Sequence, residues 1–373
     1  MAVKSLASYE EYLYGCRFCP MCKPAAEVAN ITQLESHTTR ARGMLLWRYL
    51  HDMTELTPRA VELLYQSTLD SISEAWCVNH YPVSAYTVSA RAEAFGKGLA
   101  PEPVLEALGR RVPAQSDVRG DVLLLGSEAA EIGEISLLEP ASRVLERAGH
   151  SFETLAMPSG AIEYCLGALK HGEERAREVV SMIEGAGATS IIADGPETLW
   201  ALTRVYPLLE ATLPVHIEIT SISALLAKGV SKVSEKASAW KGKRALLHDS
   251  RSACALGERM AHDAAIQPGF QGPEETMGTG EVYEASRQVV DTLGVQRLNT
   301  VWTRSLSRSC GADDGLWLTY PRIAEQLACE RLREAELLGA ELMITDSLLC
   351  AWWLRSVRKS TDVEVCWLPE LLV

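Results

Sequence analysis

Two stretches far apart in the chain carry one pattern. GATSIIADGPETLWAL at 187–202 aligns with GAELMITDSLLCAWWL at 339–354 at a constant offset, 339 − 187 = 152. The identical pairs are Gly187/Gly339, Ala188/Ala340, Ile192/Ile344, Asp194/Asp346, Trp200/Trp352 and Leu202/Leu354. Any unit in which a helix runs through Gly-Ala into a strand shares part of this match. The paired Asp and Trp go beyond it and predict a duplicated α/β domain. Buried strands alternate with amphipathic helices around both copies. DVLLLG (Asp121 to Gly126) precedes LLEPASRVLERAG, EERAREVVSMIEGAG runs into TSIIAD, and KRALLH (Lys243 to His248) opens the second copy. That alternation predicts parallel sheets. The expected organisation is a helical segment at 1–112, a first α/β domain at 117–230, a polar linker, KGVSKVSEKASAWKGK, and a second α/β domain at 243–373.

Composition limits the partners. Lys and Arg number 36 against 49 Asp and Glu, so 36 − 49 = −13, which argues against nucleic acid. The N-terminus, MAVKSLASYEEYLYGC, places acidic residues where a leader would need an apolar core. The longest apolar runs, such as VLLLG and LLCAWWL, fall well short of the roughly 20 residues that span a bilayer. The expectation is a cytoplasmic protein without a transmembrane segment, compatible with peripheral membrane association. There thiols stay reduced, so the ten cysteines are read as metal ligands or core residues rather than disulfides.

CRFCPMC supplies Cys16, Cys19 and Cys22, a C-x2-C-x2-C run suited to three irons of a cubane. In two-cluster ferredoxin segments the fourth cysteine of each run ligates the other cluster. Here that fourth place is Ala26. A second stretch, LLYQSTLDSISEAWCVN, carries Ser67, Asp70, Ser73 and Cys77 at the same offsets, so three ligands are lost and the fourth is kept. Cross-ligation leaves one complete cluster on Cys16, Cys19, Cys22 and Cys77 and erases the other. The alternative is zinc held by the three close cysteines with His37 or His80.

CRFCPMCKP followed by ESHTTRARGMLL resembles the ferredoxin-type segment of iron–sulfur oxidoreductases with cysteine-rich CCG domains. These include heterodisulfide reductase catalytic subunits, glycolate oxidase and lactate-utilisation iron–sulfur subunits, and the anaerobic glycerol-3-phosphate dehydrogenase iron–sulfur subunit. HDS at 248–250 resembles that family's HDPC, SCGADDGLWL its CCGAGGGMWL, and ITDSLLCAWWL its TACPFCLTML. The resemblance implies an N-terminal helical ferredoxin-like cluster domain followed by two parallel α/β CCG-type domains. It also implies a flavoprotein dehydrogenase partner carrying FAD or FMN, in a hetero-oligomer. The departures are specific. Arg251 stands where the first CCG cysteine falls, Ser309-Cys310 stands for the CC pair, and Ser347 with Cys350 stands for CxxC. The first copy has Ser127, Ser159-Gly160, Gly195 and Thr198 at these places. Five ligands for a non-cubane cluster cannot be assembled in either copy, which reads as a degenerate member.

His248, Cys254, Cys310 and Cys350 form a candidate second site, a Cys3His set for zinc or part of a substrate pocket, with core packing as the alternative. Cys165, Cys329 and Cys366 are read as core, and the insertion QPGFQGPEETMGTG as a loop over the second-site face. Trp200, Trp317, Trp352 and Trp353 are read as filling space vacated by clusters, or else as partner anchors. No nucleotide-binding fingerprint and no Ser-His-Asp constellation stands out. The expected function is an electron-transfer subunit with one [4Fe–4S] cluster. A scaffolding subunit with a structural cluster, and an enzyme using the His248/Cys310/Cys350 face, are the alternatives.

Overall fold

The computed structural model describes residues 3–79, 81–110, 118–233, 237–257, 281–358 and 361–373. His80 and the insertion at 267–280 lie outside them. The chain is mixed α/β, with helices first and two four-stranded parallel sheets after them.

The first helices include Glu10–Cys16, Glu27–Thr32, Thr39–Leu50, Pro58–Tyr65, Ser71–Trp76 and Val83–Gly96. Thr38 and Thr57 start two of them, accepting the Ala41 and Ala60 amides at 3.2 and 3.3 Å, and Pro58 fits the first turn of the second. Leu6, Leu13, Leu46, Leu64 and Tyr86 close a core between them.

The first sheet contains β1 (Val122–Leu125), β2 (Glu153–Leu155), β3 (Ser190–Ala193) and β4 (Glu218–Ser221), in the order β2-β1-β3-β4. The second contains β5 (Arg244–Leu247), β6 (Gln296–Arg297), β7 (Leu342–Thr345) and β8 (Glu364–Trp367), in the order β6-β5-β7-β8. Both sheets therefore follow one strand order. β3 and β7 begin 342 − 190 = 152 residues apart, the offset found in the sequence. The central strands are buried on both faces, as parallel sheets covered by helices require. The polar stretch read as a linker is largely helical where described: Ile222–Val233 runs into it, and Ala237–Trp240 follows. No helix among the described residues is long and apolar enough to cross a membrane.

A parallel sheet presents its carboxyl strand ends on one edge, where such folds hold ligands. Those edges face each other across the two sheets. Glu128, just after β1, accepts the Ser347 hydroxyl and the Leu349 amide, both at 2.9 Å, just after β7.

Candidate functional site

Cys16, Cys19 and Cys22 line one pocket together with Cys77, which comes from the end of an α-helix four α-helices later in the chain. Cys16 ends the helix Glu10–Cys16, Cys19 and Cys22 lie in the turn beyond, and Cys77 caps Ser71–Trp76. Cys16 and Cys22 are buried, whereas Cys19 and Cys77 are half-buried. Burial pushes the Cys16 thiol up to about 11. The Tyr86 hydroxyl, 3.6 Å from its sulfur, opposes that rise, and nearby Cys22, Cys77 and Cys19 add to it. Burial also raises the Cys22 thiol, against a hydrogen bond with Thr39. Gly43 keeps the room open, since a Cβ there would stand 3.1 Å from the Cys16 sulfur. Four crowded thiols disfavour one another as thiolates unless a cation lies among them. The donor set therefore fits a [4Fe–4S] group. His37 does not join it, because its ring nitrogens bond Thr32 at 2.7 Å and Gln66 at 3.0 Å.

The places read as an erased second ligand set hold charge and hydrogen bonds. Asp70 forms a buried ion pair with Arg42, and the Thr39 hydroxyl donates to the same carboxylate at 3.1 Å. Arg91 donates to the Ser67 hydroxyl at 3.1 Å, the Ser67 carbonyl at 2.9 Å and the Cys165 carbonyl at 2.8 Å. Next to Ala26, Glu27 is buried and accepts the Ser309 amide at 2.5 Å and the Thr68 hydroxyl at 3.1 Å. It thereby ties the cysteine segment to the residue before Cys310.

His248, Cys310 and Cys350 meet at the carboxyl edge of the second sheet, their ligand atoms all within 4.8 Å of one another. His248 follows β5, and Cys350 lies in the first turn of the helix after β7, where the Ser347 hydroxyl accepts its amide at 3.1 Å. Burial pushes the Cys310 thiol up, but Cys350 and His248 outweigh it and bring the group down to about 6. Burial raises the Cys350 thiol, which donates to Asp313 Oδ1 at 3.7 Å. Cys254 is not part of the group. It sits inside the helical stretch 251–257, and its thiol donates to the Arg304 carbonyl at 3.0 Å, so the expected Cys3His set is corrected to Cys2His.

Cys165 and Cys366 are buried as read, but Cys329 is exposed on the outer side of the helix Pro321–Leu337. Arg251, at the place of a family cysteine, lies 4.3 Å over the Trp200 ring and 4.0 Å from Asp314. Trp317, Trp352 and Trp353 pack on each other at 5.0–6.2 Å, and the Trp353 indole donates to the Cys310 carbonyl at 3.0 Å. Trp200 thus packs on Arg251 and Trp353 on the Cys310 segment. In the first repeat, Thr198 donates to Asp194 at 2.6 Å and Ser159 accepts the Ala161 amide at 3.1 Å.

Among the residues that sequence reasoning passed over are Tyr86, Thr39, Glu27, Asp313 and Arg331. Asp313 lies inside SCGADDGLWL and Thr39 inside ESHTTRARGMLL, both already noted, and Glu27 directly follows Ala26. The others come from segments with no pattern of their own.

The strand-end layer is rich in buried acids. Burial raises Glu27 and Glu131 to about 8, and Asp194, Asp314 and Asp346 to about 7. Each is an acid whose folded-state value exceeds its unfolded value near 4. The stability they contribute is complete below pH 4 and lost as pH rises through 7 and 8. Cys310 acts in the opposite sense, as one group against five. Urea midpoints measured anaerobically should fall between pH 5.5 and pH 8.5. Each ionising group costs on the order of 1.4 kcal/mol per pH unit, and a midpoint that rises across this range contradicts the assignment.

No protein-family model matches the chain, and no curated protein matches it. Among solved structures, it is similar to the crystal structure of a hypothetical protein from Helicobacter pylori, with a TM-score of 0.57 and 10% identity. The match covers 89% of this chain and 66% of that one, so the chain spans just under two thirds of its neighbour's length. At that identity the likeness concerns the fold alone.

Proposed function

We propose that this chain is the iron–sulfur electron-transfer subunit of a multi-subunit oxidoreductase, a degenerate relative of the CCG-domain iron–sulfur subunits. It would stand between a flavoprotein dehydrogenase and an acceptor. The observation that carries this reading is the meeting of Cys16, Cys19, Cys22 and Cys77 in one pocket from two distant segments. Two features add support. Asp70 and Ser67, at two places of the missing ligands, are bonded to Arg42 and Arg91, which suits one [4Fe–4S] group rather than two. The rim of the pocket also carries exposed Phe18, Met21 and Val78, apolar side chains that a docked partner would cover.

When bound, a [4Fe–4S] group supplies one-electron chemistry. The chain's own residues set the conditions for it. Gly43 leaves space for the Cys16 sulfur, and the Tyr86 hydroxyl, 3.6 Å away, is placed to donate to that sulfur once it is a thiolate. Such a bond favours the more negative, reduced form and raises the potential. Tyr86→Phe should therefore lower the midpoint by about 40 mV, the one-electron equivalent of a net hydrogen bond of about 1 kcal/mol. An unchanged or higher midpoint in Tyr86→Phe contradicts the hydrogen bond's role.

The test of the function is iron analysis and a redox titration followed by EPR on anaerobically purified protein. About four irons per chain and a reducible signal are expected. Protein without iron ends the proposal. A cluster that stays oxidised at accessible potentials favours a scaffolding role instead.

A further inference from the structure

We propose that His248, Cys310 and Cys350 bind a single divalent metal ion of the zinc type, separately from the four N-terminal cysteines. Two thiols and an imidazole are the donors that borderline-soft ions select. Their ligand atoms lie within 4.8 Å of one another. Bonds of about 2.3 Å to sulfur imply tetrahedron edges of about 3.8 Å, so a contraction of an ångström or less closes the set around one ion. All three side chains are essentially sealed, at 2%, 1% and 0% exposure, where a polar atom left alone is costly.

An independent observation points the same way. His248 Nε2 is buried and has no hydrogen-bond partner among the described residues. Its other ring nitrogen does have one: Arg331 Nε donates to Nδ1 at 3.3 Å. A guanidinium can only donate, so in the metal-free ring the proton sits on Nε2. Binding an ion at Nε2 moves that proton to Nδ1 and ends the Arg331 contact. That contact is the longest of the four Arg331 makes. Two N–H groups cannot face each other at that distance, so Arg331 Nε swings off the ring while the rest of the guanidinium stays anchored to Leu247 O at 3.0 Å, Trp302 O at 3.2 Å and Glu334 at 2.5 Å. Cys310 and Cys350 release their thiol protons to solvent as the ion binds, and Asp313 retains the Ser252 amide at 3.2 Å. Two thiolates then balance the charge of the ion. Three protein ligands leave a fourth position for water or a ligand, the count found in catalytic rather than structural zinc sites.

The proposal does not rest on the cluster reading, and its test separates the two. The unmodified chain is treated anaerobically with iodoacetamide in mild urea, with and without zinc, and each cysteine is followed by mass spectrometry. Zinc should protect Cys310 and Cys350 while leaving the labelling of Cys165 and Cys366 unchanged. Labelling of Cys310 and Cys350 that does not respond to zinc overturns the site. Cobalt titration gives a second readout. The thiolate-to-cobalt absorption should lose the contribution of one ion per chain in His248→Ala and in Cys350→Ser, and retain it in Cys77→Ser. Cobalt spectra of His248→Ala and Cys350→Ser identical to the unmodified chain's overturn the proposal.

Discussion

On the proposed one-cluster reading, replacing Cys77 by alanine should lower bound iron from about four atoms per chain to near none. The three cysteines of CRFCPMC come from one short segment, and the fourth wall of their pocket is the end of the helix Ser71–Trp76. Among the described residues, no other thiol lines that wall, where Ser73, Asn79 and Tyr81 offer only oxygen or amide donors. Ser73 and Asn79 are weak ligands for iron, and His37 is held elsewhere by Thr32 and Gln66. Loss of the fourth thiolate also removes the link between two segments that bound metal would join, so folding free energy should fall with it. Two controls discriminate. Cys165→Ala, in an apolar core, and Cys350→Ala, at the second sheet's edge, should keep the iron and its absorption spectrum. A Cys77→Ala protein with a full complement of iron would show that another residue completes the set.

The fold was legible where its signal is local. Apolar runs such as VLLL and LMIT, set between helices and turn residues, read as buried strands, and strands lie there. β6 was not legible, being two exposed residues whose pairing with β5 comes from the sheet rather than from their own preference. Cys329 shows a different limit. Its neighbours Leu327 and Ala328 are buried, and apolar context suggested the same for Cys329, but the helical phase turns it outward. Cys254 failed for a similar reason, since nearness in sequence to His248 does not carry its thiol past one turn of helix toward Cys310. The four-cysteine set was legible because ligand spacing is a covalent constraint. The contacts of the arginines around it were not, because Arg42 and Arg91 reach Asp70 and Ser67 across 28 and 24 residues, and nothing local in the sequence names those partners.

That buried pair carries the largest expected effect on stability. Arg42 and Asp70 are both almost wholly buried, and burial, with the nearby Arg91 charge adding to it against Tyr86 and the cysteines, pulls the Arg42 guanidinium down to about 10. Leu69 and Asp70 have positive φ of 53° each, a conformation that costs Leu69 energy and that Asp tolerates. The turn persists because it delivers the carboxylate to Arg42 and Thr39. Asn also tolerates that backbone, so Asp70→Asn removes the charge with little change in shape. It should destabilise the protein by about 3–5 kcal/mol, because Arg42 is left as a buried cation without its partner. Adding Arg42→Met should recover much of the loss, since removing both charges ends the uncompensated burial. Urea unfolding of the single and double variants measures both steps. If Asp70→Asn costs under about 1 kcal/mol, the value of an exposed pair, or if the double variant is less stable than Asp70→Asn alone, then the ion pair does not hold this corner of the fold.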